Sequence, residues 1–182
     1  VVKSWRAWQG EMELIYAYLY LSKGQRKKAK QWLQWSFNHS METAEDQTSL
    51  IVHEESIFLR TVIELLAAEH MKAFQDLKLL LEDYSASARL SDYYFWYGVI
   101  LYEIEKRPKD AIMAMRQVDR QGERDDDRLY LLGKVNHDQQ KWRQAISAFS
   151  NLKKLHPASQ FLEEGLYLQA QAFFEQKKYN SG

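Results

Sequence analysis

The feature that most constrains the fold is a set of small residues that recurs at the spacing of a helix pair. Ala111 and Ala145 lie 34 residues apart, and Gly98 and Gly133 lie 35 residues apart. A period of this length is typical of a unit of two helices, which cannot bury its apolar face alone and must stack on neighbouring units. The spacing therefore predicts an array of helix pairs.

Composition excludes several other classes of protein. Only two prolines and seven glycines interrupt 182 residues, which are too few breakers for a strand-rich sandwich or barrel. The 25 basic and 25 acidic residues balance, so nothing calls for a nucleic acid as partner. No apolar stretch approaches the length of a membrane-spanning helix, and the absence of cysteine excludes disulfides and thiol chemistry.

The clearest repeat runs from Asp126 to Ser159. Its marks are Leu129, Leu132, Gly133, Ala145, Phe149 and Pro157. Small residues at Gly133 and Ala145 let the paired helices touch, and Pro157 ends the second helix. The unit resembles the tetratricopeptide repeat, which has the same residue types at the same positions. The resemblance implies an all-α fold, a right-handed superhelical array of antiparallel helix hairpins with a concave groove.

The same pattern, with weaker marks, extends along the chain. It predicts one repeat domain with repeats at 10–43, 54–87, 91–124 and 126–159 and a partial repeat at 163–182. Since the last repeat lacks its second helix, we expect the chain to be a fragment of a longer protein. Ala29 and Ala73 are 44 residues apart, and the polar residues Asn38 to Thr48 are interpreted as a loop or a longer helix end.

No pattern of catalytic or metal-binding residues is visible. The histidines are scattered one to a segment, and none has the second histidine four residues away that a zinc protease helix needs. We therefore expect no enzyme activity, no metal and no cofactor. The acidic run Asp125–Asp127 is interpreted as lying just ahead of a helix, where it caps the free amides and complements the helix dipole, rather than as a calcium loop. The basic run Arg26–Lys30 is interpreted as a solvated helix face, with an anionic contact as the alternative.

The resemblance implies that positions 2, 5, 9 and 12 of each first helix face the groove. The side chains predicted to contact a partner are Glu11, Glu55, Asp92 and Asp127 at position 2; Leu14, Phe58, Phe95, Tyr130 and Tyr167 at position 5; and Tyr18, Val62, Val99 and Lys134 at position 9. Glu164 and Gln171 occupy positions 2 and 9 of the partial repeat. This pattern predicts aromatic contacts and a preference for basic side chains.

Two structural alternatives stay open for these residues. Acids in the first turn of a helix are expected from the helix dipole alone. A large residue at position 5 can also pack on the neighbouring repeat instead of on a partner.

The predicted function is a scaffold that binds another protein or a peptide in the concave groove. The alternative is a regulatory domain of a bacterial transcription regulator that senses a ligand or a protein. The stretch Trp142–Ala145 with Pro157 and Ser159 resembles repeats of bacterial envelope-assembly proteins. This resemblance favours a bacterial source and leaves cytoplasm and periplasm both open.

Overall fold

The computed structural model describes residues 5–42 and 47–180. Within these ranges the chain forms nine α-helices and no strand. The helices are α1 Trp5–Ser22, α2 Arg26–Glu42, α3 Gln47–Leu66, α4 His70–Asp83, α5 Leu90–Glu103, α6 Pro108–Met115, α7 Asp125–Asp138, α8 Trp142–Leu155 and α9 Leu162–Asn180. They form two compact modules that meet in sequence between Ser85 and Ala86: an N-terminal module of α1 to α4 and a C-terminal module of α5 to α9.

Each module is built from helices that pack on their neighbours in sequence. In the N-terminal module α1 packs on α2, α2 on α3 and α3 on α4, and α1 also contacts α3. In the C-terminal module the same order holds from α5 to α9, and α7 contacts both α5 and α9. Short connections make successive helices antiparallel. The predicted all-α fold of helix pairs is confirmed.

The repeated small residues are where helices approach most closely. Ala29, Ala73, Ala111 and Ala145 are all fully buried. A Cβ atom on Gly133 would lie 2.3 Å from Cε1 of Phe149, closer than real atoms approach. The interpretation that Gly133 is small because its helix touches the paired helix is therefore confirmed.

Helix length accounts for the wide spacing between Ala29 and Ala73. Asn38 lies in α2 and Thr48 in α3, so both ends of the predicted loop are helical. Residues 43–46 lie outside the described part of the chain. The two helices have 17 and 20 residues, whereas α7 and α8 have 14 each. Longer helices, and not a long loop, absorb most of the extra residues.

The predicted end of the second helix of the clearest repeat agrees with the structure, but the prediction that the acidic run lies ahead of the first helix and caps it is wrong. α8 ends at Leu155, and Pro157 follows it. Asp125, Asp126 and Asp127 form the first turn of α7, where their charges complement the helix dipole. None of them is the N-cap residue, which is Arg124. Asp125 is instead buried and paired with Arg128, whose Nε donates to its Oδ1 at 2.8 Å.

Candidate partner-binding surface

In the C-terminal module the predicted acidic positions on α5 and α7 converge on one arginine. Arg124 donates from Nε to Oδ1 of Asp92 at 2.7 Å and from Nη1 to Oδ2 of Asp127 at 3.3 Å. Partial burial raises the pKa of Asp127 even though Arg124 lies beside it. Asp92 and Asp127, which were predicted to contact a partner, are therefore both paired with Arg124 of this chain.

The same arginine covers two aromatic rings. Its guanidinium carbon lies 5.1 Å from the ring centroid of Phe95 and 5.5 Å from that of Trp96. Such an arrangement adds a cation–π attraction to the two ion pairs. Sequence reasoning missed Arg124 because it precedes α7 and so has no position in the helix register. The signal that could have found it is its place three residues before Asp127.

Phe95 is a core residue rather than a surface residue. Its side chain is only 8% exposed and packs in a cluster with Leu131 and Val135 of α7. Val99 is half-buried against the same cluster. For this repeat, the structure favours the alternative that position 5 packs on the neighbouring repeat.

Two tyrosines at position 5 are more accessible. Tyr130 is half-buried and stacks on Phe161, with ring centroids 4.6 Å apart and planes 17° from parallel. Burial and then a hydrogen bond to Glu164 raise the pKa of Tyr130. Tyr167 is 63% exposed, and Nε2 of Gln171 donates to its hydroxyl oxygen at 2.8 Å. Tyr130 therefore has a ring contact within the protein, whereas Tyr167 is exposed and makes a hydrogen bond through its hydroxyl.

Polar contacts also join α5 to α7 near position 9. Lys134 lies 3.2 Å from Oε1 of Glu103, and its ammonium nitrogen lies 5.8 Å from the ring centroid of Tyr102. The hydroxyl of Tyr102 donates to Asp138. Burial, and next this hydrogen bond, raise the pKa of Tyr102. Lys134 is therefore already paired with a carboxylate of the neighbouring first helix.

In the N-terminal module the structure brings Tyr18 and Glu55 together. The Tyr18 hydroxyl, on α1, donates to Oε2 of Glu55, on α3, at 3.0 Å. Leu14 packs partly buried against the core cluster that contains Ala17 and Leu33. The remaining predicted residues of this module, Glu11, Phe58 and Val62, are all of intermediate exposure. Position 9 of α1 thus contacts position 2 of α3.

Histidines and acids take structural partners. His39 Nδ1 lies 2.7 Å from Glu13, and His156 Nε2 lies 2.7 Å from the buried Asp125. Among the described residues no group of three or more such side chains is arranged to hold a metal ion. None of the helices in the described ranges combines the length and the apolarity that crossing a membrane requires.

Comparison with known proteins agrees with this geometry. The family model of the tetratricopeptide repeat matches residues 129–159, which hold most of α7 and all of α8. This chain contains a tetratricopeptide repeat. A similar solved structure is that of YrrB, described as a TPR protein with an unusual peptide-binding site. The match has a TM-score of 0.70 at 13% identity and covers 91% of this chain and 76% of YrrB.

At that identity the likeness to YrrB establishes the fold alone. It extends the tetratricopeptide repeat fold beyond the matched repeat to most of the chain. No curated protein matches the sequence at a significant level.

Proposed function

We propose that this chain is a protein-interaction scaffold that binds a peptide segment of a partner on its first helices. Tetratricopeptide repeats support such a role in general, and the similar protein YrrB is described as having a peptide-binding site. The proposed contacts are the predicted residues at positions 2, 5 and 9, with the accessible tyrosines of the C-terminal module contributing most.

The observation that carries this proposal is the arrangement of Tyr130 and Tyr167. Tyr130, on α7, stacks on Phe161, the residue just before α9, with ring centroids 4.6 Å apart, and burial, followed by Glu164 in the first turn of α9, raises its pKa. Glu164 and Tyr167 are three residues apart and therefore share a face of α9. Both tyrosines are therefore placed toward the same face of α9: Tyr130 through its stack on Phe161, and Tyr167 with its hydroxyl accepting a hydrogen bond from Gln171. Tyrosine offers a large contact area and has only two side-chain rotations to lose on binding, which favours affinity.

Charge contributes less to the proposed contact than the sequence pattern predicts. Arg124 already compensates Asp92 and Asp127, so a basic peptide would have to compete with it for both carboxylates. These ion pairs are partly buried, so displacing Arg124 would leave a partly buried charge without its partner, which costs free energy. We therefore base the proposal on the exposed and half-buried aromatic rings. Phe95 contributes only through its cation–π contact with Arg124.

The test begins with peptides selected from a random library on the full 182-residue chain. Their dissociation constants are then measured by isothermal titration calorimetry against variants. Tyr167→Ala removes an accessible ring and is expected to weaken binding about tenfold or more, as aromatic contacts at the centre of an interface do. Tyr130→Phe, which removes only the hydroxyl that bonds Glu164, is expected to have a smaller effect in the same direction.

Phe173→Ala supplies the matched control. Phe173 is also an exposed ring of α9, at 47% exposure. It lies six residues after Tyr167, about one and two-thirds turns, and so points to a different side of the helix. Equal affinities for wild type and Tyr167→Ala, or equal losses in the two alanine variants, would contradict the proposal.

A small-ligand sensor is less well supported. Such a function requires a concave site that encloses most of its ligand. Two clefts in the described part of the chain, one between α6 and α8 and one beside Trp142 and Phe174, are both open to solvent.

A further inference from the structure

A second surface of the C-terminal module has a different chemistry. An open cleft of about 950 Å³ is lined by the second helices α6 and α8 and by residues of α7. On α7 the lining residues include Leu129, Leu132 and Asn136. None of the predicted partner-binding positions lines this cleft, so it is distinct from the surface proposed above.

The cleft carries a concentrated positive charge. Five cationic side chains line it without an ion pair among the described residues: Lys109, Arg116, Arg120, Lys141 and Arg143. A sixth, Arg128, is neutralised by the buried Asp125. No carboxylate lines the cleft. This local surplus of positive charge attracts anions, although the whole chain has equal numbers of acidic and basic residues.

The cleft also exposes apolar side chains between its charges. Met113 on α6 is 64% exposed and Leu155 on α8 is 55% exposed. A partner that carried only negative charge would leave these side chains in water. No aromatic side chain lines the cleft, so nucleic-acid bases would have no ring on which to stack. A partner that carries both negative charge and apolar side chains would therefore match both features of the cleft.

We propose that this cleft binds an acidic amphipathic helix of a partner protein. In this arrangement the apolar side of the helix covers Met113 and Leu155, and its carboxylates pair with the surrounding arginines and lysines. Laying an amphipathic helix between two helices is a common mode of peptide recognition. α8 is 14 residues long, about 21 Å, so a partner helix of about four turns spans the cleft.

The test uses designed probes and fluorescence anisotropy with the full chain. The main probe is a labelled helical peptide of about 16 residues, with leucines along one face and glutamates along the other. An oligoglutamate peptide and a single-stranded RNA of equal negative charge are the comparison probes. We expect the amphipathic peptide to bind at least about tenfold more tightly than either, because only it covers the apolar side chains.

Charge reversal then locates the site. The double variant Arg116→Glu, Arg143→Glu is expected to weaken binding of the amphipathic peptide by about tenfold or more. The matched control is Lys27→Glu, Lys153→Glu, which makes the same change in net charge at exposed residues that do not line the cleft. The milder pair Arg116→Gln, Arg143→Gln should give an intermediate loss. Circular dichroism verifies that each variant is folded.

Several results would overturn the proposal. It fails if the amphipathic peptide does not bind, or if RNA or oligoglutamate binds equally well. It also fails if the control pair weakens binding as much as the cleft pair does. Since these variants leave Tyr130 and Tyr167 intact, failure here does not affect the proposed function of the first helices.

Discussion

The close approach of α7 and α8 makes Gly133→Ala an informative substitution. The added methyl group would lie 2.3, 2.5 and 2.7 Å from three atoms of the Phe149 ring. That ring is only 1% exposed and packs against fully buried Ala145 and Ala172. A rigid ring in such surroundings cannot move aside without displacing its neighbours.

Two opposing effects set the magnitude. Alanine has a higher helix propensity than glycine, which would stabilise α7 by about 1 kcal/mol. Overpacking a core costs about 1–3 kcal/mol, and three contacts this short place Gly133 at the upper end of that range. We therefore expect Gly133→Ala to lower the free energy of unfolding by about 2 kcal/mol.

Gly10→Ala is the control. Gly10 also lies inside a helix, but the nearest atoms to its added Cβ would be 3.6 Å away, an ordinary contact. There the propensity effect acts alone, and we expect a gain of up to about 1 kcal/mol. Urea unfolding followed by circular dichroism measures both variants. Hydrogen exchange of α7 and α8 shows whether the loss is in the C-terminal module.

A second-site change makes the reasoning refutable. Phe149→Leu removes the ring atoms that the new methyl group would meet, and alone it destabilises the core. The double variant with Gly133→Ala should lose less free energy of unfolding than the sum of the two single losses, by about 1 kcal/mol or more. Strict additivity, or a stabilising effect of Gly133→Ala alone, would show that the contact does not limit this position.

Two further predictions concern buried polar groups. Arg128→Met should lower the free energy of unfolding by about 3 kcal/mol, since it leaves the buried carboxylate of Asp125 poorly compensated. Arg107→Ala breaks an exposed ion pair and should cost less than about 1 kcal/mol in the same urea experiment; equal losses would contradict the argument. Burial, followed by the charge of Arg60, lowers the pKa of His53 below its ordinary value. The unfolded chain then binds the proton more readily, so stability should fall as pH drops below about 6.5, and an unchanged pH dependence in His53→Gln would refute this.

The helix packing could be predicted from the sequence because it depends on residue size at fixed spacing. Gly133 and Ala145 have to be small wherever two helices touch, and the structure shows that contact. One repeat earlier the requirement is weaker: a Cβ on Gly98 would lie 2.1 Å from the flexible end of the Met115 side chain, and the next atom, Cβ of Ala114, is 3.4 Å away. Steric requirements of this kind are visible in the sequence even when the family marks are weak.

The exposure of the candidate surface could not be predicted in the same way. Phe95 and Tyr167 occupy the same position of their helices, yet one is 8% exposed and the other 63% exposed. Phe95 packs on residues of α7, the next first helix, whereas no described helix follows α9, which carries Tyr167. Periodicity gives the direction of a side chain but not the distance to the next repeat.

The basic cleft could not be predicted from the net charge of the chain, because its charge is a local surplus. Its cations come from two helices and the segments beside them, while acids elsewhere bring the total to zero. The sequence does contain a signal, because Lys109 and Arg143 lie 34 residues apart. They therefore occupy the same position of successive second helices, two residues before Ala111 and Ala145. A repeat period places equivalent side chains side by side, so a single basic position becomes a charged row when it recurs. The chemistry of the proposed partner follows from these cations and from the apolar side chains between them. The net charge of the whole protein indicates neither feature.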